Sequence, residues 1–155
     1  MEQLFGLPAH PMMVHAPVVL VPLLTLACVT VAVRPGWRAR LSPWLVAASV
    51  VSFVATMLAM KSGEKFDKLL QGQVDISKHE SLAGTTRLFV LVLLVVLVAA
   101  AVVDRRRPAD GAEPAANVSL ALSWVAVVVA VLATVWMVRT GHEGARLVWS
   151  GVVTD

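Results

Sequence analysis

Four stretches of the chain, at about residues 14–33, 44–60, 88–103 and 118–138, are almost wholly apolar. A helix rises about 1.5 Å per residue, so roughly 20 residues cross the ~30 Å hydrocarbon layer of a bilayer. Each run approaches that length, and together they use up most of the 155 residues. A soluble domain of this size could not hide so much apolar surface: 58% of the residues are hydrophobic and only 15% are charged. The expected fold is therefore all-α, an integral membrane four-helix bundle forming a single domain over residues 1–155. No separate catalytic domain fits outside the bilayer.

The first run is expected to be a retained helix and not a cleaved leader. No lysine or arginine precedes it, and no small-x-small pattern precedes Arg34. The third run can be extended backwards, because Ser77 and Glu80 have the S-x-x-E spacing of a capping box, which would put His79 in the first turn of that helix. Pro11 suits a first helical position, with His10 just outside, while Pro17 and Pro22 should bend the first span.

The joint after the first span holds Arg34, Arg38 and Arg40, and the joint after the third holds Arg105, Arg106 and Arg107. Both are compact and rich in proline and glycine. The basic residues of the other side are spread over longer segments and mixed with acids, so the positive-inside rule places both termini on the outer side. The net charge of +3 reads as this topology signal and not as a nucleic-acid surface. The outer loop over residues 61–87 carries Phe66, Leu69 and Leu70 at helical spacing, as either a surface helix or a solvated extension of the second span.

Helices associate in lipid through small residues that let backbones approach closely. Ser119, Ser123, Ala126, Ala130 and Ala133 form one such stripe, and Ala48, Ser52, Ala55 and Ala59 form another. These faces are expected to line the interior, with the large aliphatics of the third span turned to lipid. No G-x-x-x-G occurs, so no particular dimer face is expected, and Trp37, Trp44, Trp136 and Trp149 fall near span ends as interfacial aromatics do.

The single cysteine, Cys28, excludes internal disulfides, thiolate zinc sites and C-x-x-C-H haem attachment. The histidines are what remains for ligand chemistry. His10 and His15 open the first helix, His79 opens the third and His142 follows the fourth, so all four fall on the outer side. A neutral imidazole is a common ligand for haem iron and transition metals, and helix bundles hold such sites between facing helices. His15 is the deepest, on a face with Val18, Val19 and Pro22, while His79 shares a face with Ala83 and Thr86. One reading is a b-type haem between the first and third helices, held by His15 and His79, with His10 and His142 as further ligands or neighbours. Arg87, Arg139 and Arg146 would then meet the propionates. A copper or zinc site on the same histidines is a second reading. The third has no cofactor: interfacial histidines bonded to headgroups, water or freed carbonyls.

No H-E-x-x-H, phosphate loop or nucleophile triad is present, and the apolar runs contain no charge, so neither an enzyme acting as an isolated chain nor a transporter is indicated.

The segments "GLPAHPMMVHAPVVLVPL", "SGEKFDKLL…SKHESLAG" and "TGHEGARLVWSGVV" resemble, in order along nearly the whole chain, the bacterial four-helix membrane proteins of domain of unknown function 2231. The resemblance falls on His10, Pro11, His15 and Pro17, on His79, and on Gly141, His142, Gly144, Leu147 and Val148. Ala16, Trp149 and Ser150 depart from the pattern. It implies a multi-pass protein of the prokaryotic plasma membrane, and the fusion of related domains to Rieske or cytochrome modules implies respiratory or other redox work. Two functions follow as expectations: a redox subunit with haem or metal near the outer face, exchanging electrons with quinone or a partner protein, and a cofactor-free accessory subunit of a membrane complex.

Overall fold

The computed structural model describes residues 3–4, 7–70, 74–106 and 113–149. Arg107, Ser150 and the residues after it lie outside the described residues. Two short strands, β1 (Gln3–Leu4) and β2 (Leu7–Pro8), pair antiparallel ahead of the helices α1 (Ala9–Met13), α2 (His15–Val33), α3 (Arg38–Leu70), α4 (Ser77–Arg105) and α5 (Glu113–Trp149). A single 3-10 turn, Pro35–Trp37, joins α2 to α3. Four helical segments are long and apolar enough to cross a membrane, α1 with α2 counting as one. The molecule is an all-α four-helix membrane bundle.

The first helix starts earlier than its prolines suggest. It begins at Ala9, so His10 lies inside it and Pro11 occupies the third position. The first N–H groups of a helix have no intrahelical acceptor, so a proline there removes no bond. Regular helix is interrupted only at Val14, which keeps helical backbone angles and whose N–H bonds to His10 O at 3.1 Å, and α2 continues from His15. Pro17 supplies the cause, since it has no N–H to offer Met13 O. Pro22 is accommodated inside α2.

The second span does not stop at the lipid edge. α3 continues as one helix to Leu70, carrying Phe66 with it. Helix α4 starts at Ser77 as its sequence indicates, but its cap differs from the expected box. The Asp75 carboxylate accepts the Ser77 N–H at 3.0 Å, and this bond holds Asp75 below the usual carboxylate range.

The interior is built on small residues. Ser119, Ser123, Ala126, Ala130 and Ala133 are all buried along α5, and Ser52 and Ala59 are buried along α3, where Ala48 and Ala55 are half-buried. The third span is two-sided: Leu88, Leu91, Val95 and Val98 are exposed towards the lipid position, while Val90, Leu93 and Leu97 are buried. Close backbone approach is what such stripes permit in lipid.

The chain forms two helical hairpins whose buried positions repeat. Each buried residue of α2 has a buried partner at the same spacing along α4: Pro17 with Thr86, Val21 with Val90, Leu24 with Leu93, Cys28 with Leu97, Val31 with Ala100, and Ala32 with Ala101. Along α3 and α5, Arg38, Ser42, Leu45, Ser49, Ser52 and Thr56 match Ser119, Ser123, Ala126, Ala130, Ala133 and Met137 in the same way. Across the seam, α2 packs on α5 as α4 packs on α3. The fold is an internal repeat of a helical hairpin.

Candidate functional site

The repeat brings the first turns of α1 and α4 together at one end of the bundle. His10 and His79, the corresponding residues of the two hairpins, meet there with ring centroids 6.2 Å apart and planes at 87°. Each ring lies in a groove of the long helix of its own hairpin. His10 Nδ1 donates to Ala59 O at 3.0 Å and to Ser62 Oγ at 3.1 Å, while the Ser62 hydroxyl itself donates to Ala59 O. His79 Nδ1 donates to Thr140 O at 3.1 Å. Ala59 and Thr140 stand at the same position of the repeat, one turn before Gly63 and Gly144.

Those two glycines explain how the rings fit. A Cβ on Gly63 would lie 3.1 Å from His10 Cε1, and a Cβ on Gly144 would lie 3.1 Å from His79 Cε1. Any other residue at either place would crowd its imidazole, which would have to give by a few tenths of an ångström. Phe66 stacks on the His10 ring with centroids 6.2 Å apart. Below His79, the Thr86 and Thr140 hydroxyls lie 2.9 Å apart. Glu143, 7% exposed, accepts from Lys78 Nζ at 2.7 Å and lies 3.9 Å from Arg146 Nη1. This ion pair ties α4 to α5 beside the histidines.

The hydrogen bonds fix which nitrogen carries the proton in the neutral form of each ring. A carbonyl oxygen only accepts, so Nδ1 of each histidine carries the proton and Nε2 of each neutral ring keeps its lone pair. A backbone carbonyl bonded to Nδ1 is also the usual way in which a metal-binding histidine is oriented.

The histidines named from sequence therefore separate. The structure brings His10 and His79 together, whereas His15 and His142 are exposed on the outer faces of α2 and α5. Val18 and Val19, beside His15, are likewise exposed. Arg87 is exposed, and Arg139 lies over the Trp136 ring with its guanidinium carbon 5.0 Å from the centroid. Ser62, Gly63, Phe66, Thr140 and the Lys78–Glu143 pair were not found from sequence. Their one visible signal was a glycine near the end of each even-numbered span, in "KSGEK" and "RTGHEG".

The opposite end carries a second polar cluster. Arg38, only 5% exposed, donates from Nη1 to Ser119 Oγ at 3.2 Å, and the Ser119 hydroxyl donates to Asp104 Oδ1 at 2.5 Å. By sequence Arg38 belongs to an external joint, as a topology signal. Instead α3 begins at Arg38 and turns it inward, so charge does enter the bundle at this end. A small cavity beside it is lined by residues that include Cys28, Arg38, Ser42, Asp104 and Ser123.

The family profile of domain of unknown function 2231, described as predicted membrane proteins, matches residues 6–155, and the chain belongs to that family. No curated protein and no solved structure matches the chain.

Proposed function

We propose that the histidine end of this membrane protein is a metal centre, in which Nε2 of His10 and Nε2 of His79 hold one transition-metal ion or the iron of a b-type haem. The observation that carries this reading is the pair of imidazoles anchored through Nδ1 on backbone carbonyls, 6.2 Å apart. Two metal–nitrogen bonds of about 2.0–2.1 Å, together with the two ring radii, span about that distance. A metal bound there would supply one-electron or Lewis-acid chemistry. The protein's own residues orient the ligands: Ala59 and Thr140 fix the tautomers, and Gly63 and Gly144 leave room for the rings. With the arginine-rich joints on the cytoplasmic side, the site faces outward from a prokaryotic plasma membrane, where a redox partner or quinone would reach it.

A second reading is supported by the contacts of the rings with Gly63 and Gly144 and by the Lys78–Glu143 bond. These would make the histidines clamps that lock helices in a cofactor-free accessory subunit. One experiment separates the two. The full chain is purified in detergent, loaded in parallel with haem and with transition-metal ions, and assayed for bound metal and for a reduced-minus-oxidised haem spectrum. The metal-centre reading expects binding that is lost in His10→Gln and His79→Gln and kept in His15→Gln and His142→Gln. Absence of binding, or binding unaffected by the first two changes, overturns it and leaves the clamp.

A further inference from the structure

Resting on the metal-centre reading, we infer that the ion taken by His10 and His79 is a monovalent d10 cation, Cu(I), held by two nitrogens in a near-linear arrangement.

The donor set is the first reason. Among the described residues, no group of three or more His, Cys, Asp and Glu side chains is arranged to hold a metal. Glu143, next in the chain to Gly144, has its Oε2 engaged by Lys78 Nζ at 2.7 Å. The Ser62 hydroxyl donates to Ala59 O. Zinc in a structural site takes four ligands, and calcium or magnesium takes six or more oxygens, so two imidazoles leave those ions largely uncoordinated by protein. A d10 monovalent ion is satisfied by two collinear nitrogens, and imidazole is an accepted copper ligand.

The repeat is the second reason. The two rings share one carbonyl on Nδ1 and one glycine against Cε1 at closely matching distances, while His10 has the Ser62 hydroxyl and the Phe66 ring in addition. Two equivalent ligands across a seam favour a symmetric N–metal–N unit over a site with one strong and one weak bond.

Charge is the third. The pair sits where apolar helices begin, and the cost of desolvating an ion rises with the square of its charge, so a monovalent ion incurs about a quarter of the penalty of a divalent one. Both ligands are neutral and cannot offset a double charge.

Space is the fourth, and it separates the ion from haem. The point that a Cβ would occupy on Gly63 is 3.7 Å from His10 Nε2, and the corresponding point on Gly144 is 3.9 Å from His79 Nε2. The backbones of α3 and α5 thus run close beside both ligand atoms, and Phe66 covers His10. The 6.2 Å between ring centroids matches a single ion held by both imidazoles, and helix backbone close to each ring leaves less room for a macrocycle.

The test uses the full chain in detergent under anaerobic conditions. Cu(I) is supplied as its bicinchoninate complex and the loss of the chelator's colour is followed, with Zn(II), Ag(I) and haem titrated in parallel. The expected result is one Cu(I) per chain, with Zn(II) bound at least 100-fold more weakly and Ag(I) competing for the same site. His10→Gln and His79→Gln should each weaken Cu(I) binding at least 100-fold. Glutamine keeps an N–H for the Ala59 or Thr140 carbonyl, and circular dichroism checks that each variant is folded. If Zn(II) or haem binds through His10 and His79 and Cu(I) does not, the choice of ion is overturned and the metal centre stands. If Cu(I) binding survives both substitutions in folded protein, the site is elsewhere and the inference fails. If no metal or haem binds, both fail together.

Discussion

The two hairpins share one burial pattern, yet they use it differently at the two ends of the bundle. At the histidine end two matched pairs are identical residues, His10 with His79 and Gly63 with Gly144, in like geometry, although the His10 ring also meets Ser62 and Phe66. At the arginine end they do not. Arg38 stands where its counterpart is Ser119, and the two bond directly to each other, with Ser119 passing the contact on to Asp104. Like residues across a seam bring two equivalent side chains together. Unlike residues fix which half faces which, because the bond forms only between a donor on one side and an acceptor on the other.

The largest expected effect falls on the unlike end. Arg38→Leu removes a buried hydrogen bond from a charged group, a change of about 1.5–3 kcal/mol in stability. Chemical unfolding in detergent should show it, and a loss of less than about 0.5 kcal/mol, the ordinary scale of a surface substitution, would mean that the arginine is not structurally engaged. At the like end, Gly63→Ala and Gly144→Ala should each crowd an imidazole, an overpacking cost of about 1–3 kcal/mol offset in part by the ~1 kcal/mol that alanine gains over glycine inside a helix. The two losses should agree closely because the Cβ positions meet their rings at the same 3.1 Å. A large inequality would break the equivalence of the hairpins.

Between the ends, Thr25 bonds to Thr134 Oγ1 at 2.8 Å and to Ala130 O at 3.0 Å, a contact whose repeat-related positions are the apolar Leu94 and Phe53. Thr25→Val should cost about 0.6 kcal/mol, the mean for interhelical hydrogen bonds in lipid. The smallest effect is a pH dependence at the start of α4. Asp75 is held below its ordinary range by Ser77, so the stability it adds is present above the unfolded carboxylate pKa and is lost as pH falls through the lower folded value. Amide exchange over residues 77–80 should accelerate below that value, and Asp75→Ala should remove the dependence.

Most of the fold was legible in the sequence, because length and apolarity alone identify a membrane helix. The small stripe on α5 was also legible: its five positions are all buried. The faces of α2 were not. That helix is apolar all round, so hydrophobicity cannot say which side meets lipid and which meets protein. His15 is deeper in the chain, but the buried positions of α2 are Pro17, Val21, Leu24 and Cys28, which continue the helical face of His10 and leave His15 on the outside. The inward turn of Arg38 was hidden for a related reason: charge beside a span reads as topology unless its partner is known. Ser119 and Asp104 lie on other helices, far along the chain. The internal repeat was obscured because its matched interior positions exchange serine for alanine and cysteine for leucine, keeping burial but little identity.

Silver(I) added to the folded protein, followed by nitrogen NMR of imidazole-labelled histidines, tests the pairing of His10 and His79 most directly. The Nε2 signals of these two residues are predicted to shift together and to show coupling to a single silver nucleus, while those of His15 and His142 stay in place. Coupling at His15 or His142, or a silver ion that binds only one of the paired histidines, would contradict a site shared between the two hairpins.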